Sequence, residues 1–406
     1  MLKTRLYISI CIATMLFCST ETYGIQINDT CTTNKHYYYL KQGHSIPFGI
    51  PLIAASVAVH HFDKDFRTLR FSHTSNFNNS ADDYLQYSPY VVLLGMKAAG
   101  VESRYTWERT LGYHATSIAF LLGLTQIPKY TINRERPDGN ANNSFPSGHT
   151  ATAFMGATLL QHEYGHISPW ISIGGYAAAT ATGVMRVAND WHWASDVVAG
   201  AGIGIISAEL GLFLSDLIFK NRGLNSLAQN NNIIQYEPNS PSFLGVNIGQ
   251  TISRVKYGNS ISFEKDVVSG IEGAWFCNSY IGVGAILEAG YSTFMLKGDS
   301  VNNKLSLTNT SIGAYFNLPL IRWFSISSKA LICYTNYGST TAYNGETTER
   351  CGGLGFGSGI GLNFNIRHNV GYIINCNYNL KPSHIQSAAK GNVNTLTIAA
   401  SICARF

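Results

Sequence analysis

The sequence predicts two folded parts, an all-α helical bundle followed by an antiparallel β-barrel of about eight strands. Three observations carry this. Apolar residues recur with helical spacing from Ser45 to about residue 219, and after Pro241 they alternate with polar ones at a period of two. Residues 223–241, between the two regimes, are rich in Asn, Ser and Pro, the composition of a linker. Ahead of both, a positive start (Lys3, Arg5), an apolar run from Leu6 to Phe17 and the small-residue end at Gly24 have the form of a secretory signal peptide. The implied division is a signal peptide at 1–24, a helical domain at 25–222, a linker at 223–241 and a barrel at 242–406.

At 406 residues the chain has room for both parts. Charged residues make up only 13%, while Gly (39) and Tyr (23) are plentiful, a balance that suits membrane contact. The net charge of +5 is mild and unclustered, so it gives no case for a nucleic-acid partner. The N-terminal apolar run is too short for a membrane span. Phe17 before Cys18 fits a lipoprotein site poorly, so cleavage is expected near Gly24. The cysteines beyond it lack metal-ligand spacing; export permits a disulfide, but the sequence does not name the pair.

The helical stretches run over 45–60, 88–101, 111–128, 149–162, 168–185 and 197–219, with a polar break from Asp63 to Asp83. Several approach the length of a membrane span, yet His60, His114, Glu209 and Asp216 interrupt or limit them. Two placements stay open: a compact periplasmic bundle with a lipid-facing side, or a set of true spans.

Strands are expected at 242–254, 264–276, 279–297, 302–316, 321–339, 350–366, 369–381 and 392–406. In the stretch from Gly353 to Ile366, one face reads Gly, Gly, Gly, Gly, Gly, Asn, Asn and the other carries Leu354, Phe356, Ile360, Leu362 and Phe364. Turns near Asn278, Asn317-Leu318-Pro319 and Arg367-His368 are short, and the loops at 255–263, 340–349 and 382–391 are longer. An even strand count, apolar-out patterning and alternating loop lengths describe an outer-membrane barrel, and the terminal Phe406 resembles the aromatic end of such barrels. Glu288, Lys329 and Arg405 fall on the presumed inner face, where they are expected to pair in a lumen filled by side chains. The alternative is a soluble sandwich or lipocalin-like barrel, which the polar linings disfavour. Both ends of an even-stranded barrel lie on one side, so the linker would place the helical domain in the periplasm.

The chemistry concentrates between Lys129 and Asp196. Lys129 and Arg136 are seven residues apart, two turns, so on a helix they point the same way, and Pro137 would end that helix near Arg136. Guanidinium forks match tetrahedral oxyanions, and Lys adds a point charge. Pro146-Ser147-Gly148-His149 precedes a run from Thr150 to Gln161 that reads as a helix, so its free backbone N–H groups lie where an anion would be held. Arg186 adds a third cation. His192 and Asp196 are expected on one helix face, where the carboxylate would hold the Nδ1 proton and leave Nε2 free as a nucleophile. His149 would then protonate the leaving oxygen.

These residues, in the order Lys-x6-Arg-Pro, Pro-Ser-Gly-His and Arg-x5-His-x3-Asp, resemble the type-2 phosphatidic acid phosphatase superfamily, whose relatives include class A acid phosphatases, lipid phosphate phosphatases and vanadium haloperoxidases. The resemblance covers roughly residues 45 to 220, with Met185 where the family usually has Ser. It implies phosphate binding by Lys129, Arg136 and Arg186, assisted by Ser147 and Gly148. It also implies His149 as general acid, His192 as the residue that becomes phosphohistidine, and Asp196 as the group that orients it. The expected activity is hydrolysis of a phosphate monoester of a membrane lipid such as lipid A or phosphatidate. No metal or cofactor is expected, and vanadate is the expected inhibitor. Soluble phosphomonoesters, a barrel with a mainly anchoring helical domain, and vanadium-dependent halide oxidation are the alternatives.

A competing motif lies inside the stretch. His162-Glu163-Tyr164-Gly165-His166 matches the zinc-protease pattern His-Glu-x-x-His, with Glu163 as base. Gly165 and Pro169 point instead to an exposed segment where a helix passes into a turn.

Overall fold

The computed structural model describes residues 46–405 except 75–76, 221, 226–240, 258–259, 295–302, 322–323, 342–346, 349, 368–369 and 383–391. The expected signal peptide, most of the expected linker and Phe406 lie outside the described residues. The chain divides into two compact units, one formed by residues up to Asp63 with Phe77–Ile234, the other by Lys64–Asn76 with Gln235–Phe406.

The helices are α1 (Ile46–His60), α2 (Asp63–Thr74), α3 (Ala81–Leu85), α4 (Ser88–Ala98), α5 (Trp107–Ile132), α6 (Gly148–Tyr164), α7 (Pro169–Ala188) and α8 (Ala194–Phe219). The stretch from Asp63 to Asp83, expected as a polar break, holds α2 and the start of α3. In the helical unit α6 and α8 form the centre: α8 packs against α1, α5 and α6, and α7 covers α6. Small residues permit this. A methyl group on Gly204 would stand 2.3 Å from the Ala151 carbonyl oxygen, and one on Gly200 would stand 2.6 Å from the Ser147 carbonyl oxygen, so these two glycines let α8 approach the start of α6. Leu93, Tyr113, Met155, Leu159, Leu160, Ile203 and Leu212 fill the space between.

α5 is patterned inside out. Its buried face carries Arg109, Thr110, Tyr113, Ser117, Leu121 and Thr125, polar at four of the six. Its outward face carries Leu111, Ile118, Leu122 and Ile127, the last of them 64% exposed. A helix of a soluble bundle would show the reverse. Among the described residues one helix, α8, is long and apolar enough to cross a membrane, and 67% of its apolar window is buried inside the protein.

The second unit is a closed antiparallel barrel of strands β1 (Phe243–Tyr257), β2 (Ser260–Phe276), β3 (Ile281–Phe294), β4 (Asn303–Ile321), β5 (Phe324–Tyr337), β8 (Cys351–Arg367), β9 (Val370–Pro382) and β10 (Asn392–Arg405). A separate two-stranded pair, β6 (Thr340–Thr341) and β7 (Thr347–Thr348), sits in the connection expected as a loop. Closure comes from β1 pairing with β10, Phe243 opposite Arg405, so no strand edge is left open. Leu287, Ile312, Leu354 and Phe356 point outward and are exposed, while Asn375, Asn377 and Asn379 of β9 point into the lumen and are buried. The glycine face of β8 makes room for that ladder: a methyl on Gly359 would meet the Asn377 Oδ1 at 2.3 Å. Lys329 does pair in the lumen, but its partner is Glu272 (2.6 Å), which also accepts from Tyr315 and Asn375. Glu288 instead accepts from Asn309 (3.3 Å). Alternation puts Glu272 on the same face as Glu288, where it takes the place expected for Glu288 as the partner of Lys329. Cys333 and Cys403 are free, buried thiols.

Candidate active site

Lys129 sits in the last turn of α5, but Arg136 is not on that helix. α5 ends at Ile132, capped by Asn133 in the left-handed conformation (φ 50°), and a loop follows. The loop folds back on itself, the Ser144 N–H donating to the Arg134 carbonyl (2.9 Å) and the Arg136 N–H to the Ala141 carbonyl (2.8 Å). Both cations nevertheless reach one residue. Lys129 Nζ donates to the Asn143 carbonyl (2.8 Å), and Arg136 Nε donates to the Asn143 side-chain oxygen (2.9 Å). Asn143 thus does what a shared helix face was expected to do.

Ser147 caps α6, and Gly148 and His149 begin it. Ser147 is fully buried: its N–H donates to the Asp196 carbonyl (3.0 Å), and its hydroxyl pairs with that of Thr150 (2.9 Å). The Cβ direction of Gly148 points into open space. Amides in a first helical turn have no acceptor within their own helix, so this start offers donors and a positive dipole end to an anion.

Arg186, in the last turn of α7, is 2% exposed. Its Nη1 donates to Asp82 (2.8 Å), its guanidinium lies over the Trp191 ring at 4.0 Å, and its buried Nε has no partner among the described residues. A buried, uncompensated guanidinium N–H is costly unless a ligand completes it. Asp82 is itself fully buried and also accepts from Asn189 (3.3 Å).

His192 and Asp196 do not share a helix face. α8 begins at Ala194, so His192 precedes it, while Asp196 is in its first turn and accepts from the Trp193 N–H (3.0 Å). The His192 Nδ1 is 2.7 Å from the Ser144 carbonyl oxygen and 3.8 Å from the Asp196 carboxylate, so the hydrogen bond goes to Ser144 and the carboxylate acts through its charge. Asp196 is occupied by Arg134 Nη1 and by the Ser144 hydroxyl. Ser144 is therefore a joint, its hydroxyl on the carboxylate and its carbonyl on the imidazole. With Nδ1 as the N–H donor, Nε2 carries the lone pair.

The electrostatics tie the set together. Burial, with help from Arg136 and Arg186, lowers the Lys129 pKa to about 8. Burial, with Arg186 and Lys129 adding to it against Asp196, lowers that of His192 to about 4, so the ring is neutral at ordinary pH. Burial and then Arg186 lower that of His149, opposed by Asp83, whose carboxylate is 2.9 Å from its Nε2. Arg186 is the common neighbour of both imidazoles and of Lys129. For Asp196, burial opposes ionisation, but His192, Arg134 and Ser144 outweigh it and hold the carboxyl below its usual range.

The sequence reading missed Asp82, Asp83, Arg134, Asn143 and Ser144. Asp82 and Asp83 close the polar stretch that the sequence presents as a break, and the other three act through a loop whose folding no spacing encodes. The His162–His166 segment is not exposed. Glu163 is fully buried, accepting from Lys97 Nζ (2.6 Å) and the Tyr113 hydroxyl, and His162 Nε2 lies 2.8 Å from Glu209. These residues hold the bundle together instead of converging on a shared ion.

Residues 110–215 match the family model of the PAP2 superfamily. A lipid A 1-phosphatase of Porphyromonas gingivalis is 42% identical over 186 residues, which are 46% of this chain and 42% of that protein. The chain thus spans less than half the length of this curated relative. Among solved structures, LpxE of Aquifex aeolicus is 25% identical, with 36% of this chain and 92% of that chain covered and a TM-score of 0.29. Ail, the attachment invasion locus protein of Yersinia pestis, is 18% identical, with 41% and 99% covered and a TM-score of 0.29. Residues 110–215, which hold Lys129, the Ser147–His149 turn, Arg186, His192 and Asp196, form a PAP2 superfamily domain.

Proposed function

We propose that this chain is a phosphatase that removes the phosphate of a membrane lipid, of the lipid A or phosphatidate type, through a phosphohistidine on His192. The carrying observation is the arrangement around Arg186: a buried guanidinium with an N–H unpartnered among the described residues, whose charge acts on Lys129 and on two imidazoles, one of them neutral with its Nε2 left as acceptor. Lys129, Arg136 and Arg186 would neutralise the phosphate oxygens, with Ser147 and Gly148 bringing the helix start against them. The neutral His192 Nε2 attacks phosphorus, and the P–O bond to the lipid breaks as His149 gives its Nε2 proton to the leaving oxygen. Water then attacks the phosphohistidine, losing a proton to His149, and inorganic phosphate leaves. Side chains supply all the positive charge this requires, so the reaction needs no metal.

Two observations favour a lipid over a soluble ester: the apolar outward face of α5, and the similarity to an enzyme named for lipid A. The closed barrel with apolar outward residues supports an outer-membrane anchor, with the helical unit on the periplasmic side. The test is phosphate release by the purified protein in detergent from lipid A, phosphatidate and a soluble phosphomonoester, with EDTA present. Release from a lipid, sensitive to vanadate and abolished in His192→Ala, is expected; full activity in that variant rejects the mechanism, and a preference for the soluble ester rejects the lipid substrate.

A further inference from the structure

α3 presents two adjacent carboxylates in opposite surroundings. Asp82 is fully buried and committed to Arg186 and Asn189. Asp83 has a side chain 43% exposed, with its Oδ1 2.9 Å from His149 Nε2 and 3.7 Å from Arg186 Nη1. Its place is fixed from behind, because the Asn79 N–H donates to the Asn189 side chain (3.0 Å) and the Asn189 amide donates back to the Asn79 carbonyl (2.8 Å). That clamp ties the segment ahead of α3 to the end of α7. The carboxylate therefore meets the imidazole by construction.

We propose that Asp83 is the positioning residue of the general acid, holding the proton-bearing Nε2 of His149 in the unliganded site and taking it back after each turnover. This rests on the reading of His149 as the proton donor. A general acid must be charged before it acts, and this site works against that. Burial and the Arg186 guanidinium both disfavour the imidazolium; Asp83 and Asp82 favour it. Asp82 already has a guanidinium on it, which leaves Asp83 as the carboxylate available to His149.

The proton count closes. At rest, Nε2–H of His149 donates to Asp83. When the lipid phosphate enters, the same N–H turns to the leaving oxygen and is transferred as the P–O bond breaks, leaving His149 neutral. Water attack on the phosphohistidine breaks the P–N bond and returns one proton to Nε2, and Asp83 again accepts from it. A side chain half in solvent can release and recapture the ring without unfolding anything.

The experiment uses the full-length protein in detergent micelles and compares Asp83→Asn, Asp83→Glu and His149→Ala on a lipid phosphate and on p-nitrophenyl phosphate, whose leaving group departs without a proton. In Asp83→Asn the alkaline limb of the kcat/KM profile for the lipid is expected to move toward acid by about one pH unit. Its kcat at neutral pH should fall about ten-fold, with a smaller loss on p-nitrophenyl phosphate and recovery in Asp83→Glu. An unchanged limb in Asp83→Asn, or equal losses on the two substrates, overturns the proposal. If His149→Ala cleaves the lipid at the wild-type rate, the underlying reading of His149 falls instead, so the two failures are told apart.

Discussion

Replacing Lys129 by Arg or Gln tests the phosphate cradle through its most pH-sensitive member. Burial beside Arg136 and Arg186 lowers the Lys129 pKa to about 8, so it is charged at neutral pH and loses its proton as the pH rises through that value. On the proposed role of Lys129, loss of its charge weakens phosphate binding, so kcat/KM falls on the alkaline side. At pH 9 only about a tenth of the free enzyme still carries the proton, which predicts a roughly ten-fold drop from the plateau. In Lys129→Arg the guanidinium stays charged, and the limb near pH 8 should disappear. In Lys129→Gln a hydrogen bond between charged partners is lost, about 1.5–3 kcal/mol, or roughly 10- to 150-fold in kcat/KM on the plateau below pH 8, and the deficit relative to wild type narrows above it. The assay is initial-rate hydrolysis of p-nitrophenyl phosphate from pH 4 to 10, because that leaving group removes the limb due to His149. A limb that persists in Lys129→Arg, or a less than two-fold loss in Lys129→Gln, refutes Lys129 as a phosphate ligand.

Other outcomes follow from the same structure. The His192 pKa of about 4 predicts activity that holds down to about pH 4 and falls below it, as protonation removes the attacking lone pair; an acid limb near 6.5 would contradict the buried, neutral ring. Glu163→Gln leaves the buried Lys97 without its counter-charge, at a cost of roughly 3–5 kcal/mol. It should lower the melting temperature while sparing kcat/KM, whereas loss of a chelator-sensitive peptidase would revive the zinc reading of the motif. The barrel should migrate differently in unheated and boiled samples on detergent gels. Lys329→Met strands Glu272 in the lumen and should lower the temperature of that transition, and an unaltered transition would show that the pair contributes nothing.

The sequence made the barrel legible because period-two alternation survives even where the inner face is polar. The Gly353–Gly361 face and the Asn375–Asn379 face predicted a lumen, and they meet there. Helix ends were less legible. Arg136 was expected on the helix of Lys129, but Asn133 turns left-handed and ends it, and Asn143 restores the convergence from the loop. The pair His192 and Asp196 has helical spacing, yet the helix starts between them. A backbone carbonyl, that of Ser144, takes the proton assigned to the carboxylate, and no sequence pattern announces a carbonyl. Glu163 looked exposed at a helix end because its partner Lys97 lies on another helix. The chemically coded residues were therefore readable, while their supports, drawn from distant segments and from the main chain, were not.

The most direct measurement is rapid quenching of the full-length protein with phosphorus-labelled lipid phosphate, followed by mapping of protein-bound label. The account predicts label on His192, lost in acid and stable in alkali, and absent from His192→Ala. Steady turnover with no label at any time, or label on another residue, contradicts it.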